Sequence, residues 1–249
     1  MYDPFRLQFL TVSLDSEIVL ALIGILAAGF VARVGARRLG LAPGDAWDMA
    51  IDIAQWSIIG ARLGWVLTHL NYYGRAPVQI MAIGDGGFLF ATGVLAAAWQ
   101  LWRMRRRLAW TDSDLARVAA PAIAVALLFD RVGCALTGCG TGQPTSVPWA
   151  MIRSGVAVHP VGLYGVAIWL FAWSALQSPG LWRRPSFVWP LLLGCLLLER
   201  TSVWALGHDG TEGALAVAAL LATVAAARRW PGLAWPFRGA SSRPTRSET

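Results

Sequence analysis

Seven apolar runs, separated by short segments containing polar residues, glycine or proline, constrain the fold of this chain more than any other feature. A hydrocarbon core about 30 Å thick requires about 20 mostly apolar residues for each helix that crosses it, and each run comes near this length. The runs are residues 18–34, 47–70, 87–102, 115–136, 158–176, 187–206 and 213–227. The pattern predicts an all-α polytopic membrane protein with seven transmembrane helices.

The placement of arginine predicts the orientation of these helices. All 21 basic residues are arginine. Fifteen lie in one set of the segments between the runs or at the adjoining run ends, against three in the other set: Arg6, Arg75 and Arg153. Because cytoplasmic loops carry the excess of positive charge, we expect the N-terminus outside and the C-terminus in the cytoplasm. Residues 1–238 then form a single transmembrane domain, and the Ser-, Arg- and Thr-rich residues 239–249 form a disordered cytoplasmic tail.

Composition excludes several other classes of protein. The chain is 56% hydrophobic and only 14% charged, which is too apolar for an ordinary soluble domain. Its arginines alternate with apolar runs rather than forming one basic face, so we expect no nucleic-acid partner. Cys134, Cys139 and Cys195 lack the spacing of a metal site, and we expect neither a metal nor another cofactor. A disulfide between Cys134 and Cys139 is not expected if both lie at one helix end.

Three arginines lie well inside the runs, away from their ends: Arg62, Arg131 and Arg200. A charge at the centre of a membrane helix costs at least about 2.5–3.5 kcal/mol, so such residues usually mark functional sites. The predicted topology places all three in the outer half of the membrane, where a shared anion would offset their charge. Since the guanidinium fork suits phosphate, the sequence predicts a site for an anionic lipid headgroup that opens to the outer leaflet.

Each of these arginines also has a structural interpretation. Asp130 precedes Arg131 and Glu199 precedes Arg200, but adjacent residues point in different directions on a helix. We therefore expect ion pairs, if present, to form across helices rather than between sequence neighbours. Arg62 has the alternative of binding the backbone carbonyls of a broken helix.

A histidine and several glycines lie at the same predicted depth. His159 opens the fifth run and is a candidate general base, because imidazole titrates near physiological pH; the alternative is a hydrogen-bonded structural histidine. Gly138, Gly140 and Gly142 follow Arg131 and interrupt the fourth run. Glycine lets the backbone approach a ligand closely, so Gly138 and Gly142 are candidate headgroup-binding positions.

Four sequence blocks resemble the prolipoprotein diacylglyceryl transferase family. The most specific block is Asp-Arg-Val-Gly-Cys-Ala-Leu-Thr-Gly-Cys at residues 130–139, with Gly142. The others are Gly-Ala-Arg-Leu-Gly-Trp-Val-Leu at 60–67 followed by Tyr72 and Tyr73, Gly86-Gly87 ahead of Gly93, and His159-Pro160 with Leu163-Tyr164. They occur in the family's order and span the second to fifth runs.

The resemblance implies an enzyme of the bacterial inner membrane. Members transfer a diacylglyceryl group from phosphatidylglycerol to the cysteine thiol of a lipoprotein signal peptide, and glycerol phosphate leaves. It implies that Arg131 holds the phosphate, that Arg62 and Arg200 help to neutralise it, and that Gly138 and Gly142 allow the headgroup to approach. His159 is then the candidate proton acceptor, so that Arg131 and His159 are the expected catalytic residues.

The chain also departs from the family pattern. A histidine or tyrosine taken to be catalytic in the family is replaced by Ala91, and polar residues of the signature are replaced by Cys134, Thr137 and Cys139. One alternative is therefore a catalytically inactive paralogue that binds anionic phospholipid or a lipoprotein. Another is a cysteine-assisted transferase with a changed acceptor. A small-solute transporter fits least, because the chain shows no internal repeats.

Overall fold

The computed structural model describes residues 6–9, 12–81, 86–138 and 141–207, with side chains from Glu17 onward except that of Thr141. The described chain is mostly helical. Its α-helices are α1 (Ser16–Arg38), α2 (Pro43–Thr68), α3 (Leu70–Tyr73), α4 (Phe90–Leu108), α5 (Asp112–Thr137), α6 (Val161–Leu176), α7 (Pro179–Arg183) and α8 (Val188–Leu206). Short 3₁₀ helices lie at Pro77–Met81 and Pro185–Phe187.

Three of the described helices are long and apolar enough to cross a membrane: Glu17–Arg38, Asp112–Thr137 and Pro185–Leu206. Helix α6 is apolar but shorter, while α2 and α4 are of spanning length and contain several charged residues. Six of the seven predicted runs therefore contain a helix. The seventh run and the predicted tail lie outside the described residues.

Two of the predicted helix bounds are wrong. The third run was assigned to residues 87–102, but α4 begins at Phe90 and continues to Leu108. The fifth run was assigned to residues 158–176, but Val156–Pro160 is a β-strand and α6 begins at Val161. Apolar composition extends beyond the helix in the fifth run, because a half-buried strand has the same composition as the first turn of a buried helix.

The prediction of an all-α fold also needs correction. β1 (Arg6–Phe9) and β2 (Val12–Asp15) form an antiparallel hairpin. β3 (Thr141–Pro144), β4 (Met151–Arg153) and β5 (Val156–Pro160) form a three-stranded antiparallel sheet in the order β3-β5-β4. The sheet connects α5 to α6, and a bridge between Gly142 and Gly207 links it to the end of α8.

Helix α5 lies at the centre of the bundle, where it contributes to two hydrophobic cores. One core joins α1, α2 and α5 around Met49 and Val118, and the other joins α5, α6 and α8 around the fully buried Trp169. The helix begins with a capping box, in which Thr111 and Asp114 bond each other's backbone amides, and it ends at Gly138, whose φ of 72° is left-handed. These signals position the C-terminal turns of α5, including Arg131, against α6 and α8.

Small residues bring neighbouring helices close together. A Cβ on Gly64 would overlap Thr92 of α4, and one on Gly60 would lie 2.5 Å from the Ala96 Cβ. The Gly-xxx-Gly spacing allows two membrane helices to pack closely. Helices α2 and α4 consequently run antiparallel with their backbones in near contact, and this places Arg62 beside the segment that precedes α4.

Candidate functional site

Arg131 lies in the last third of α5 and faces a buried carboxylate on α8. Its Nε lies 2.6 Å from Glu199 Oε1 and 3.3 Å from Asp130 Oδ2. The contact with Glu199 is an ion pair rather than a hydrogen bond, because the Nε–H is not directed at the oxygen. Its terminal amino groups make no hydrogen bond within the part of the chain that the structure describes. A guanidinium held through Nε keeps its two terminal amino groups available to bind two oxygens of an oxyanion.

Glu199 links two arginines and a tryptophan. It is 2% exposed, accepts a hydrogen bond from the Nη2 of Arg200 at 2.7 Å and accepts a second from the Nε1 of Trp169 at 3.0 Å. Each carboxylate oxygen therefore has a donor or cation, as a buried charge requires. Two guanidinium groups share this one buried carboxylate, so the buried part of the cluster carries a net positive charge.

Arg200 is held on its other face by an aromatic ring. Its guanidinium carbon lies 4.1 Å from the ring centroid of Phe90, at the start of α4. A desolvated cation–π contact of this kind contributes up to about 2 kcal/mol. The contact connects the α5–α6–α8 part of the bundle to the segment ahead of α4.

Glycines of α6 allow Arg131 and α6 to pack closely. A Cβ on Gly165 would lie 2.8 Å from the Cδ of Arg131, and one on Gly162 would lie 3.1 Å from the Cα of Ala135. The methylenes of Arg131 therefore lie directly against the α6 backbone.

His159 lies in β5, at the C-terminal end of α5. It borders a narrow cavity of about 20 Å³ together with Cys134, Gly138, Arg153 and Gly162. The hydroxyl of Tyr164 lies 3.1 Å from its Nδ1. The Gly142 backbone lies close to it, since a Cβ on Gly142 would be 2.7 Å from the His159 Cβ. His159, Gly138 and Gly142 thus form one group at the end of α5.

Among the described residues, Arg62 binds a set of backbone carbonyls. Its Nε donates to Ile80 O at 3.1 Å, its Nη2 donates to Gln79 O at 2.8 Å, and its Nη1 donates to the carbonyls of Gly86 and Gly87. The side chain is 7% exposed. It therefore fixes the segment between α3 and α4, which agrees with the carbonyl-binding alternative for this arginine.

A second and larger cavity, of about 250 Å³, lies beside Arg62. Its walls include Trp65 and His69, which stack with ring centroids 4.0 Å apart, and Tyr72, whose hydroxyl bonds the Gln79 side chain. Gly87, with φ 77°, borders it in a left-handed conformation, and a Cβ there would lie 2.6 Å from Trp65. Only glycine fits this position.

The predicted site residues therefore fall into three adjacent groups. Arg131 and Arg200 share Glu199, His159 lies with Gly138 and Gly142, and Arg62 lies apart. Residues 86–90 connect the last group to the first, because Phe88 lies 5.8 Å from the Arg62 guanidinium and Phe90 contacts Arg200. Arg131 lines neither of the two cavities described above.

Two expectations about ion pairs and cysteines are corrected. Glu199 pairs with its sequence neighbour Arg200 as well as with Arg131 across helices, and Asp130 likewise contacts its neighbour Arg131. Cys134 is disulfide-bonded, although no disulfide was expected at this helix end, while Cys195 is free and buried. Cys139 lies outside the described residues.

Other members of the site are not evident from the sequence. Trp169 and Tyr164 occur in an apolar helix, and Trp149 in a loop, so each has the pattern of a core or membrane-interface aromatic residue. Their hydrogen bonds to Glu199 and around His159 depend on tertiary contacts. The sequence signal for Tyr164 is its place in the block of His159-Pro160 with Leu163-Tyr164.

Comparison with known proteins gives a consistent result. Residues 8–230 match the family model described as prolipoprotein diacylglyceryl transferase. Three relatives named phosphatidylglycerol–prolipoprotein diacylglyceryl transferase are similar to the chain. The Nitratidesulfovibrio vulgaris protein is 32% identical over 55% of this chain and 58% of its own length. The Geobacter sulfurreducens protein is 35% identical over 57% of each. The Oleidesulfovibrio alaskensis protein is 27% identical over 72% and 71%. The chain thus spans somewhat over half the length of the first two relatives.

Proposed function

Since this chain belongs to the prolipoprotein diacylglyceryl transferase family, we propose that it transfers a diacylglyceryl group from phosphatidylglycerol to a cysteine thiol of a lipoprotein signal peptide. The names of its relatives carry the reaction class. The observation from the structure that supports the proposal is Arg131, which Glu199 holds through Nε while its terminal amino groups make no hydrogen bond among the described residues.

The chemistry requires stabilisation of a leaving phosphate. The thiolate attacks the glyceryl carbon that bears the phosphate oxygen, the carbon–sulfur bond forms, and the carbon–oxygen bond breaks. The phosphate leaves as glycerol phosphate, and its charge increases from one negative unit toward two. The proton of the thiol is released to solvent or to the leaving phosphate. A fixed cation is most effective where charge develops in the transition state.

The proposed roles follow this change in charge. Arg131 binds the phosphate through its terminal amino groups, and Arg200 adds positive charge from the other side of Glu199. Arg62 adds further positive charge while it holds the segment around Gly86 and Gly87. Gly138 and Gly142 allow the headgroup to approach near His159, the second proposed catalytic residue.

The membrane arrangement is part of the same proposal. The chain crosses the bacterial inner membrane seven times, with its N-terminus outside and the site opening to the outer leaflet. The antiparallel contacts of α1 with α5 and of α2 with α4 support alternating helix directions: Gly35 lies beside Arg117, and Gly64 lies beside Thr92. Single cysteines introduced near Arg75 and Arg153 test this orientation. We expect both to react in intact cells with thiol reagents that do not cross the membrane.

Complementation tests the activity. Cells depleted of their own transferase should regain lipoprotein lipidation when they express this chain, and should not regain it with Arg131→Ala at equal membrane abundance. Failure of the wild-type chain, in cells that the Geobacter sulfurreducens protein rescues, would contradict the proposal.

Ala91 motivates a second candidate, a family member that binds an anionic phospholipid without turnover. In that case phosphatidylglycerol would copurify with the wild-type chain and not with Arg131→Ala, while a synthetic cysteine peptide would remain unmodified. Lipid binding with peptide modification would favour the transferase.

A further inference from the structure

Three residues from a loop, a strand and a helix form a hydrogen-bonded series that ends at His159. The indole Nε1 of Trp149 lies 2.9 Å from the hydroxyl of Tyr164, and that hydroxyl lies 3.1 Å from the Nδ1 of His159. Trp149 lies in the loop before β4, His159 in β5 and Tyr164 in the first turn of α6. The sheet and the helix together therefore fix the His159 ring.

The direction of these hydrogen bonds follows from which groups can donate. An indole N–H can only donate, so Trp149 donates to the Tyr164 oxygen. The Tyr164 hydroxyl must then place its own proton, and among the described residues His159 Nδ1 is the acceptor within its reach. Donation in one direction along the series strengthens each bond, since every donor is polarised by the previous one. This direction favours Nδ1 of neutral His159 as an acceptor, with the ring proton on Nε2.

Because Nδ1 is bonded to the Tyr164 hydroxyl, Nε2 is the ring nitrogen left for a ligand. Within the described residues Nε2 has no hydrogen-bond partner. Arg153 of β4 borders the same cavity and donates a hydrogen bond to Gly138 O. The other charged groups at this end of α5 are the Asp130–Arg131 pair and Glu17 of α1, which bonds Thr137. Cys134 in the cavity wall is disulfide-bonded and does not titrate. The Arg153 cation in the cavity wall therefore favours an anionic ligand there.

We propose that Trp149 and Tyr164 are positioning residues that hold the proton of neutral His159 on Nε2, so that His159 donates a hydrogen bond to the phosphate and does not act as the base for the thiol. This inference rests on the proposed function. As the carbon–oxygen bond breaks and the phosphate gains negative charge, the Nε2–H adds a neutral donor beside Arg131. The thiol proton leaves with solvent or with the departing phosphate, and His159 carries one ring proton before and after the transfer.

Nuclear magnetic resonance tests the proton position without any need for activity. The chain has three histidines, His69, His159 and His208, and loss of a signal in His159→Gln assigns the ring nitrogens in detergent micelles. At alkaline pH, where imidazole is neutral, the spectrum should show an unprotonated Nδ1 and a protonated Nε2. Tyr164→Phe should convert this single state into a mixture of both tautomers. A protonated Nδ1 in the wild-type chain would overturn the inference.

Activity measurements distinguish a donor from a base. The Gln side chain retains an N–H near the position of Nε2 but cannot accept a proton at that position. We therefore expect His159→Gln to remain within about 10-fold of wild-type kcat, while His159→Ala loses about 10²–10³-fold, the usual cost of removing one donor from such a site. Equal losses in the two variants would contradict a donor role.

Trp149→Phe tests the far end of the series against a matched control. Trp149 and Trp204 are 62% and 54% exposed, but only Trp149 bonds Tyr164. We expect Trp149→Phe to lower kcat and populate the second tautomer, and Trp204→Phe to change neither. A wild-type chain that shows the expected tautomer but no transfer would refute the proposed function and leave the hydrogen-bonded series intact.

Discussion

Replacing Glu199 with glutamine should destabilise the protein more than any other single loss of a carboxylate charge among the described residues. Glu199 is 2% exposed and contacts Arg131 at 2.6 Å, Arg200 at 2.7 Å and Trp169 at 3.0 Å. Glutamine keeps the volume but removes the one buried carboxylate charge among the described residues, which lies between two cations. Removal of one partner from a buried pair costs about 3–5 kcal/mol, and we expect a value in this range for the free energy of unfolding.

The assay is reversible unfolding in mixed micelles as the fraction of denaturing detergent is raised. Asp130→Asn is the matched control, because Asp130 contacts the same Arg131 at 3.3 Å but its side chain is 40% exposed. An exposed pair contributes about 0–1 kcal/mol, so the control should unfold near the wild-type midpoint. If Glu199→Gln and Asp130→Asn lost the same free energy within about 1 kcal/mol, the buried carboxylate would not be the anchor of the two arginines.

Three further outcomes follow from the packing. Gly165→Ala should reduce transferase kcat, because the added Cβ would lie 2.8 Å from the Arg131 Cδ. Gly194→Ala is the control and should leave kcat unchanged, because the space around a Cβ at Gly194 is open. Equal kcat values in the two variants would contradict the contact. Arg62→Met should speed proteolysis of the segment between α3 and α4 in limited digestion, because four backbone carbonyls lose their hydrogen-bond donor. An unchanged digestion rate would show that contacts other than those of Arg62 hold the segment. Gly87→Ala should unfold at a lower temperature than Gly180→Ala, because φ at Gly87 is 77° and Trp65 occupies the Cβ position. Equal unfolding midpoints would contradict the need for glycine at position 87.

The sequence predicts the helices better than it predicts their ends. Apolar runs locate six helices because a membrane core demands about 20 apolar residues per span. The sheet between α5 and α6 escapes this pattern, since Val156–Pro160 is as apolar as a helix. Its strands depend on the β3-β5-β4 pairing, which is not visible in local composition.

The site is predictable to a similar extent. Arg131 and Arg200 are identified from the cost of burying a charge, and the structure places both against Glu199. The carboxylate itself is not identifiable as the shared partner, because sequence spacing does not report which helices α5 contacts. Arg62 has the same sequence pattern as Arg131, and only the positions of four carbonyls show that it holds a loop.

The most direct test of the account is the mass of a synthetic lipoprotein signal peptide incubated with the purified chain in phosphatidylglycerol vesicles. The account predicts a gain of one diacylglyceryl group on the cysteine, with release of glycerol phosphate, and no gain with Arg131→Ala. An unmodified peptide, under conditions in which the Geobacter sulfurreducens relative modifies it, would contradict the account, as would full activity in Arg131→Ala.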